Sequence, residues 1–119
     1  MTRPENFPKL FAVYEQESHT TSRGRERLDA PQRRATIHCI LSTAKPEERE
    51  RYSQLGITVT HSLIQRGAPL AKENDWLALL KNGKEARCFR VQAVHNKGEM
   101  DIDTVYYCEE RSDLHELQN

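Results

Sequence analysis

Thiolate and imidazole are the usual ligands of zinc, and this chain offers His38, Cys39, His61, Cys88, His95 and Cys108 as side chains from which a metal site could be assembled. Their spacing argues against one. No Cys-x-x-Cys pair occurs, and His38 and Cys39 are neighbours on an expected strand, where successive side chains point to opposite faces. The same residues read as core cysteines and surface histidines. A cysteine nucleophile would need a neighbouring base or a helix N-terminus, and no motif supplies either. Asp101, Asp103, Glu109 and Glu110 gather near the last strand. Paired acids serve hydrolysis or cation binding, but here they read as the solvated rim of that strand. No phosphate-cradling glycine loop of the Walker or dinucleotide type is present. The residues therefore predict no catalytic, cofactor or metal site, and a protein that is not an enzyme.

The remaining chemistry is cationic. Residues 17–34 hold five arginines, Arg23, Arg25, Arg27, Arg33 and Arg34, against Glu17, Glu26 and Asp29, so 5 − 3 gives a formal charge of +2. Gly24 and Pro31 mark this stretch as loop. A connection this long within a small domain is commonly functional or disordered, which makes it the expected partner surface. Arginines contact phosphates without reading sequence. Stacking aromatics, which a single-strand binder uses, are missing from it.

The elements that must position this loop are mostly strands. Leu10-Phe-Ala-Val-Tyr14 and Thr36-Ile-His-Cys-Ile-Leu41 read as the first two. Ile57-Thr-Val-Thr-His-Ser-Leu-Ile64, Trp76-Leu-Ala-Leu-Leu80, Arg87-Cys-Phe-Arg-Val-Gln-Ala-Val94 and Thr104-Val-Tyr-Tyr-Cys108 follow, rich in β-branched and aromatic residues. Turn residues at Gly67-Ala-Pro69, Lys72-Glu-Asn-Asp75, Lys81-Asn-Gly-Lys84 and Asn96-Lys-Gly-Glu99 separate them. The last four runs predict a meander that closes on itself. One helix is expected at residues 46–55, with Pro46 in its first turn, Glu47 and Glu48 at its positive end and Gly56 as terminator. Its apolar stripe is only Tyr52 and Leu55, so it should plug one end of a barrel or lie on the barrel. The predicted fold is mainly β: a small antiparallel β-barrel with one short helix and a long loop between the first two strands. Phe89, Val91, Leu63, Val59, Ile37 and Val105 are its expected inner face.

The totals fit one domain of residues 1–119, with residues 1–7 and 112–119 as flexible ends. At 119 residues, 36% hydrophobic and 30% charged, the chain can bury one thin core. Its 18 basic and 18 acidic residues cancel. Residues 1–60 carry 10 and 8 of them, a net +2, and residues 61–119 carry 8 and 10, a net −2. Bulk attraction to nucleic acid is not expected. Three cysteines without a hydrophobic signal core, and no apolar run of membrane length, predict synthesis in a reducing cytoplasm and no membrane partner.

The order Gly56-Ile-Thr-Val-Thr-His-Ser-Leu-Ile-Gln-Arg-Gly67, Asn74-Asp-Trp-Leu77, Phe89-Arg-Val-Gln-Ala-Val94 and Thr104-Val-Tyr-Tyr-Cys-Glu-Glu-Arg-Ser-Asp113 resembles the head closure proteins of long-tailed bacteriophages, also called head completion, head-tail joining or stopper proteins. Asn74-Asp75 stands where that family commonly has Gly-Asp. The resemblance covers about half the chain in detail and its element order overall. It implies a virion neck protein of a phage or prophage, made in the bacterial host cytoplasm. Such a protein forms a ring, a dodecamer in that family, under the portal and its connector or adaptor. It closes the channel on packaged double-stranded DNA and offers the docking surface for a tail-completion protein. Carried onto this chain, the channel- or connector-facing loop is residues 17–34 with Arg23, Arg25, Arg27, Arg33 and Arg34. Asp101, Asp103, Glu109 and Glu110 are candidate contacts between subunits. The alternatives are a neck protein docking on the tail side and a small barrel that binds single-stranded nucleic acid.

Overall fold

The computed structural model describes residues 7–15, 18–20, 24, 26–28 and 31–111. Six strands close an antiparallel barrel: β1 (Lys9–Glu15), β4 (Gln32–Thr43), β5 (His61–Arg66), β6 (Trp76–Lys81), β7 (Lys84–Asn96) and β8 (Asp103–Arg111). Between β1 and β4, two three-residue strands, β2 (Ser18–Thr20) and β3 (Glu26–Leu28), form a sheet of their own. Helix α1 (Pro46–Ser53) joins β4 to β5. In its first turn the Lys45 amide donates to Glu48 Oε1 at 3.1 Å, and Gly56 leaves it at φ +78°. The mainly β barrel with one short helix is the fold class the sequence predicts.

The order around the barrel is β1-β4-β5-β8-β7-β6. A plain meander of the last four strands, as expected from the sequence, is therefore realised only by β6, β7 and β8. Its first turn is the two-residue link Asn82-Gly83, with φ of +54° and +77°, the left-handed pair that matches strand twist in a tight hairpin. Strand β5 instead pairs with β4 and β8, because the helix returns the chain beside β4. The strands also outrun the apolar patterns that reveal them. Residues 57–60 stay outside β5, while β4 begins at Gln32 and β8 continues through Glu109 and Glu110 to Arg111.

Phe11, Val13, Ile37, Cys39, Leu63, Leu77, Leu79, Phe89, Val91, Tyr106 and Cys108 fill the interior. Phe11 and Phe89 meet edge to face at 6.0 Å. All six expected core residues are buried, but Val59 and Val105 are not on the inner face. They join Ala44 and Tyr107 in a second cluster against Tyr52 and Ile57. The helix thus lies on the barrel wall, with the Tyr52 and Tyr107 rings 5.0 Å apart. A third cluster, Ala12, Tyr14, Trp76, Ala78 and Cys88, occupies the other face of β1, β6 and β7, as strand alternation requires. Arg90 and Arg111 stack over Trp76 at 5.1 and 5.8 Å.

Strands β5 and β6 stand diametrically opposite in the six-strand order, so residues 67–75 must cross one mouth of the barrel. This segment plugs the mouth, while the helix takes the other of its two expected places, lying on the barrel. Ala71 joins the interior cluster, and the polar backbone it brings inward finds partners. The Tyr106 hydroxyl accepts from the amides of Leu70 (3.0 Å) and Ala71 (3.3 Å) and donates to Gln65 Oε1. Gln65 Nε2 in turn donates to the Ala68 carbonyl at 2.7 Å, and Thr104 Oγ1 to that of Gly67 at 2.8 Å. Tyr106→Phe keeps the ring and removes one oxygen, leaving two amides and an amide oxygen without their partner. We expect it to lower unfolding stability by about 1–3 kcal/mol, read as a shifted denaturant midpoint at unchanged slope. No shift would show that water replaces the hydroxyl.

Candidate functional site

The basic segment begins and ends on one rim. Strands β1 and β4 pair down to Glu15↔Gln32, and the chain between those residues forms the β2–β3 hairpin, in the register Ser18↔Leu28, His19↔Arg27 and Thr20↔Glu26. Gly24, at φ +79°, sits in the link between its strands, and Arg27 is carried on β3. Arg23 and Arg25 lie outside the described residues. Arg33 and Arg34 belong to β4 rather than to the loop in which the sequence places them. Arg33 donates to Thr36 Oγ1 at 3.0 Å. Arg34 donates to Glu15, to the Leu70 carbonyl and to Asp75 at 3.0, 2.9 and 3.0 Å. Its charge is thus committed to holding the crossing segment.

Asp75 is the acceptor at the centre of that hold. It is 2% exposed, takes the Lys72 amide at 3.0 Å as well as Arg34, and its own carbonyl accepts from Val91 at 2.9 Å. Burial raises its carboxyl pKa, and the Lys72 amide and the Arg34 guanidinium oppose that rise without reversing it. Beside it the Glu15 carboxylate accepts from Lys72 at 2.8 Å. That bond, ahead of the Arg34 charge, lowers Glu15, and Glu15 raises Lys72.

A second charged group lies where β5, β7 and β8 meet. Arg87 makes a two-pronged contact with Glu110, 2.6 and 2.9 Å, and its guanidinium stacks on Phe89 at 5.2 Å. Its Nη2 donates to His61 Nε2 at 3.4 Å, so that nitrogen is the acceptor and Nδ1 carries the proton, directed at Thr60 Oγ1 2.9 Å away. The Thr60 hydroxyl also accepts from the Glu110 amide at 2.8 Å. Desolvation, reinforced by the Arg87 charge, lowers the His61 pKa, and the Arg87 bond lowers Glu110.

The acidic candidates separate. Glu110 pairs with Arg87 and Glu109 with Arg111 at 3.3 Å. Asp101 accepts from Asn96 Nδ2 at 2.7 Å, in the turn that closes β7 onto β8. Asp103 forms no ion pair with a described residue; it stands opposite Arg66 in the β5–β8 register, five residues along β8 from Cys108, which stands opposite His61. The strands therefore keep His61 away from Asp101 and Asp103. Among the described residues no three His, Cys, Asp or Glu side chains gather to hold a metal. Cys39 and Cys108 share the interior, where burial pushes the Cys39 thiol up to about 12 and raises Cys108 as well. Such thiols stay protonated at neutral pH and are poor nucleophiles. Cys88 lies in the Trp76 cluster. Tyr106 and Tyr107 are both buried, on opposite faces, so neither serves as a stacking platform. No described helix is long and apolar enough to cross a membrane.

Sequence reasoning reads Asp75 only as turn chemistry and gives Arg87 no role. Their partners lie 41 and 23 residues away, and only strand register shows the pairing. No protein-family profile matches the chain, and no curated protein matches it significantly.

Two measurements check these networks. Asp75→Ala removes the shared acceptor of Arg34 and Lys72, and should lower stability by about 1–3 kcal/mol in a denaturant titration. An unchanged midpoint would mean that residues 67–75 hold without it. The His61 titration, followed by NMR between about pH 5 and 8, should lie below its ordinary value and rise in Arg87→Gln. Because folding lowers it, the unfolded chain binds the extra proton. Stability from neutral His61 is then present above the unfolded value and is lost as pH falls through it. The Glu110 contribution follows it lower, through the ordinary carboxylate range. An unshifted His61 in Arg87→Gln would remove Arg87 as a cause.

Proposed function

We propose that this chain is a structural subunit of the neck of a long-tailed phage or prophage. It joins a ring beneath the portal and its connector, closes the channel on packaged DNA and presents the surface on which the tail docks. The observation that carries the reading is the β2–β3 hairpin, rooted on one barrel rim and forming a sheet separate from the barrel. A two-stranded hairpin has little stability by itself. Its place in the chain suits an element that acts by contact with something outside the barrel. The similarity of the sequence to head closure proteins supports the same reading.

The physical fit is one of concentration by symmetry. A neutral chain, 18 basic against 18 acidic residues, has no field to draw it onto free DNA. Repeated around a ring, Arg23, Arg25 and Arg27 form a basic annulus that holds phosphates without regard to sequence. Arg34 and Arg87, by contrast, spend their charge inside the subunit. A closed ring uses heterologous contacts, one face of each subunit against a different face of the next. With Glu109 and Glu110 paired internally, Asp101 and Asp103 are the acids that remain for a neighbour.

Replacing Arg23, Arg25 and Arg27 together by glutamine leaves the barrel and its Arg34–Asp75 hold in place. The expected phenotype is capsids that package DNA and accept the subunit but lose the genome, scored as nuclease-sensitive DNA. Full retention would overturn the annulus. Attachment to tails with no capsid binding would favour a tail-side neck protein.

A further inference from the structure

Asn82-Gly83 is the one Asn-Gly pair in the 119 residues, and the fold presents it at the tip of the β6–β7 hairpin. Both residues are exposed, and the flanking pair Lys81↔Lys84 closes the ladder beneath them. The Gly83 amide accordingly has no backbone partner among the described residues. Where another residue would carry a Cβ, Gly83 has nothing within 4 Å. The Asn82 side chain makes no hydrogen bond to a described residue. The neighbouring asparagines are held differently. The amide that follows Asn74, that of Asp75, donates to the Lys72 carbonyl at 3.1 Å. Asn96 is engaged at both ends, Nδ2 donating to Asp101 at 2.7 Å and Oδ1 accepting from the Asp101 amide at 3.2 Å.

We propose that Asn82 is a site of spontaneous covalent modification, where the side-chain amide is displaced by the Gly83 nitrogen and aspartate and isoaspartate take its place. The Gly83 amide gives up its proton to solvent base and its nitrogen attacks Asn82 Cγ. The Cγ–Nδ2 bond breaks, and Nδ2 takes a proton and leaves as ammonia. Water then opens the cyclic imide at either carbonyl. Glycine suits the step because no Cβ crowds the attacking nitrogen. Lys81 and Lys84 suit it too: both are exposed, and like charges set opposite each other in a ladder are unfavourable. An anion formed between them, first the tetrahedral intermediate and then the carboxylate, relieves that repulsion. The two products differ in effect. Asp-Gly fits the same two-residue turn, whereas isoaspartate routes the main chain through Cβ and lengthens the link, so Lys81↔Lys84 loses its register. The irregularity between Leu79 and Leu80 leaves only Leu80↔Glu85 between that pair and the rest of the ladder, which confines the change to the tip. None of this depends on the neck reading.

The test is storage of the intact, folded protein at mildly alkaline pH, followed by cleavage after glutamate and mass spectrometry of the peptide Asn74–Glu85. Expected is a gain of about 1 Da, the change from amide to carboxylate, located at residue 82 and divided between two chromatographically distinct peptides of equal mass. Conversion at Asn82 should run at least about tenfold faster than at Asn74 or Asn96, since only Asn82 is followed by glycine. Asn82→Gly keeps a pair that two-residue hairpins favour and should gain no mass. In the aged protein, NMR shifts should be confined to residues 80–85. The proposal is overturned if Asn74 or Asn96 converts as fast as Asn82. It is equally overturned if Asn82 keeps its amide in the folded protein while a synthetic peptide of residues 74–85 loses it, which would show that the turn protects the site.

Discussion

The structure turns on a topological constraint: β5 and β6 are successive barrel strands on opposite sides of the barrel, so the chain between them must cross an open mouth. Backbone brought over a hydrophobic interior needs hydrogen-bond partners, at a cost of roughly 1–3 kcal/mol for each group left unsatisfied. The Tyr106 hydroxyl, held by Gln65, answers that need from inside, and Asp75, held by Arg34, answers it from the rim. The crossing segment seals the core and draws the chain off β5 at Arg66, so that among the described strands residues 32–39 of β4 pair with β1 alone.

That division separates scaffold from surface. The barrel interior, the helix against Tyr107 and the Arg87–Glu110–His61 group are internally satisfied. The β2–β3 hairpin lies in the chain beyond the last β1–β4 pair, Glu15↔Gln32, and Arg27 of the basic segment is on its second strand. A neck subunit suits such an arrangement: a small rigid body that sets ring geometry, and an arm whose charge matters once it is repeated. Arg34 marks the boundary, since its sequence neighbourhood is the arm while its contacts are those of the barrel.

Much of the barrel is legible in the sequence because alternation is a local property. The Phe89-Arg-Val91 pattern places two side chains inward and one outward, and Asn82-Gly83 fixes the hairpin between β6 and β7. Less visible is which strands become neighbours. Nothing near Leu63 says that it lies opposite both Leu41 and Tyr106, because that register is set by where the helix returns the chain. The adjacent tyrosines Tyr106 and Tyr107 must face opposite ways, yet only closure of the barrel decides that Tyr106 is the inner one. The ends of β4 and β8 are hidden for a related reason. Gln32, Arg33, Arg34, Glu109 and Glu110 have no apolar pattern, and ladder pairing with strands distant in sequence makes them β.

A neck role is decided by assembly, through co-sedimentation of the purified protein with tailless, DNA-filled capsids that lack it, with binding and nuclease protection scored together. The neck reading predicts stoichiometric binding and restored protection of the genome, with little affinity of the free protein for DNA. Absence of capsid binding, together with salt-dependent binding to free single strands, would contradict it.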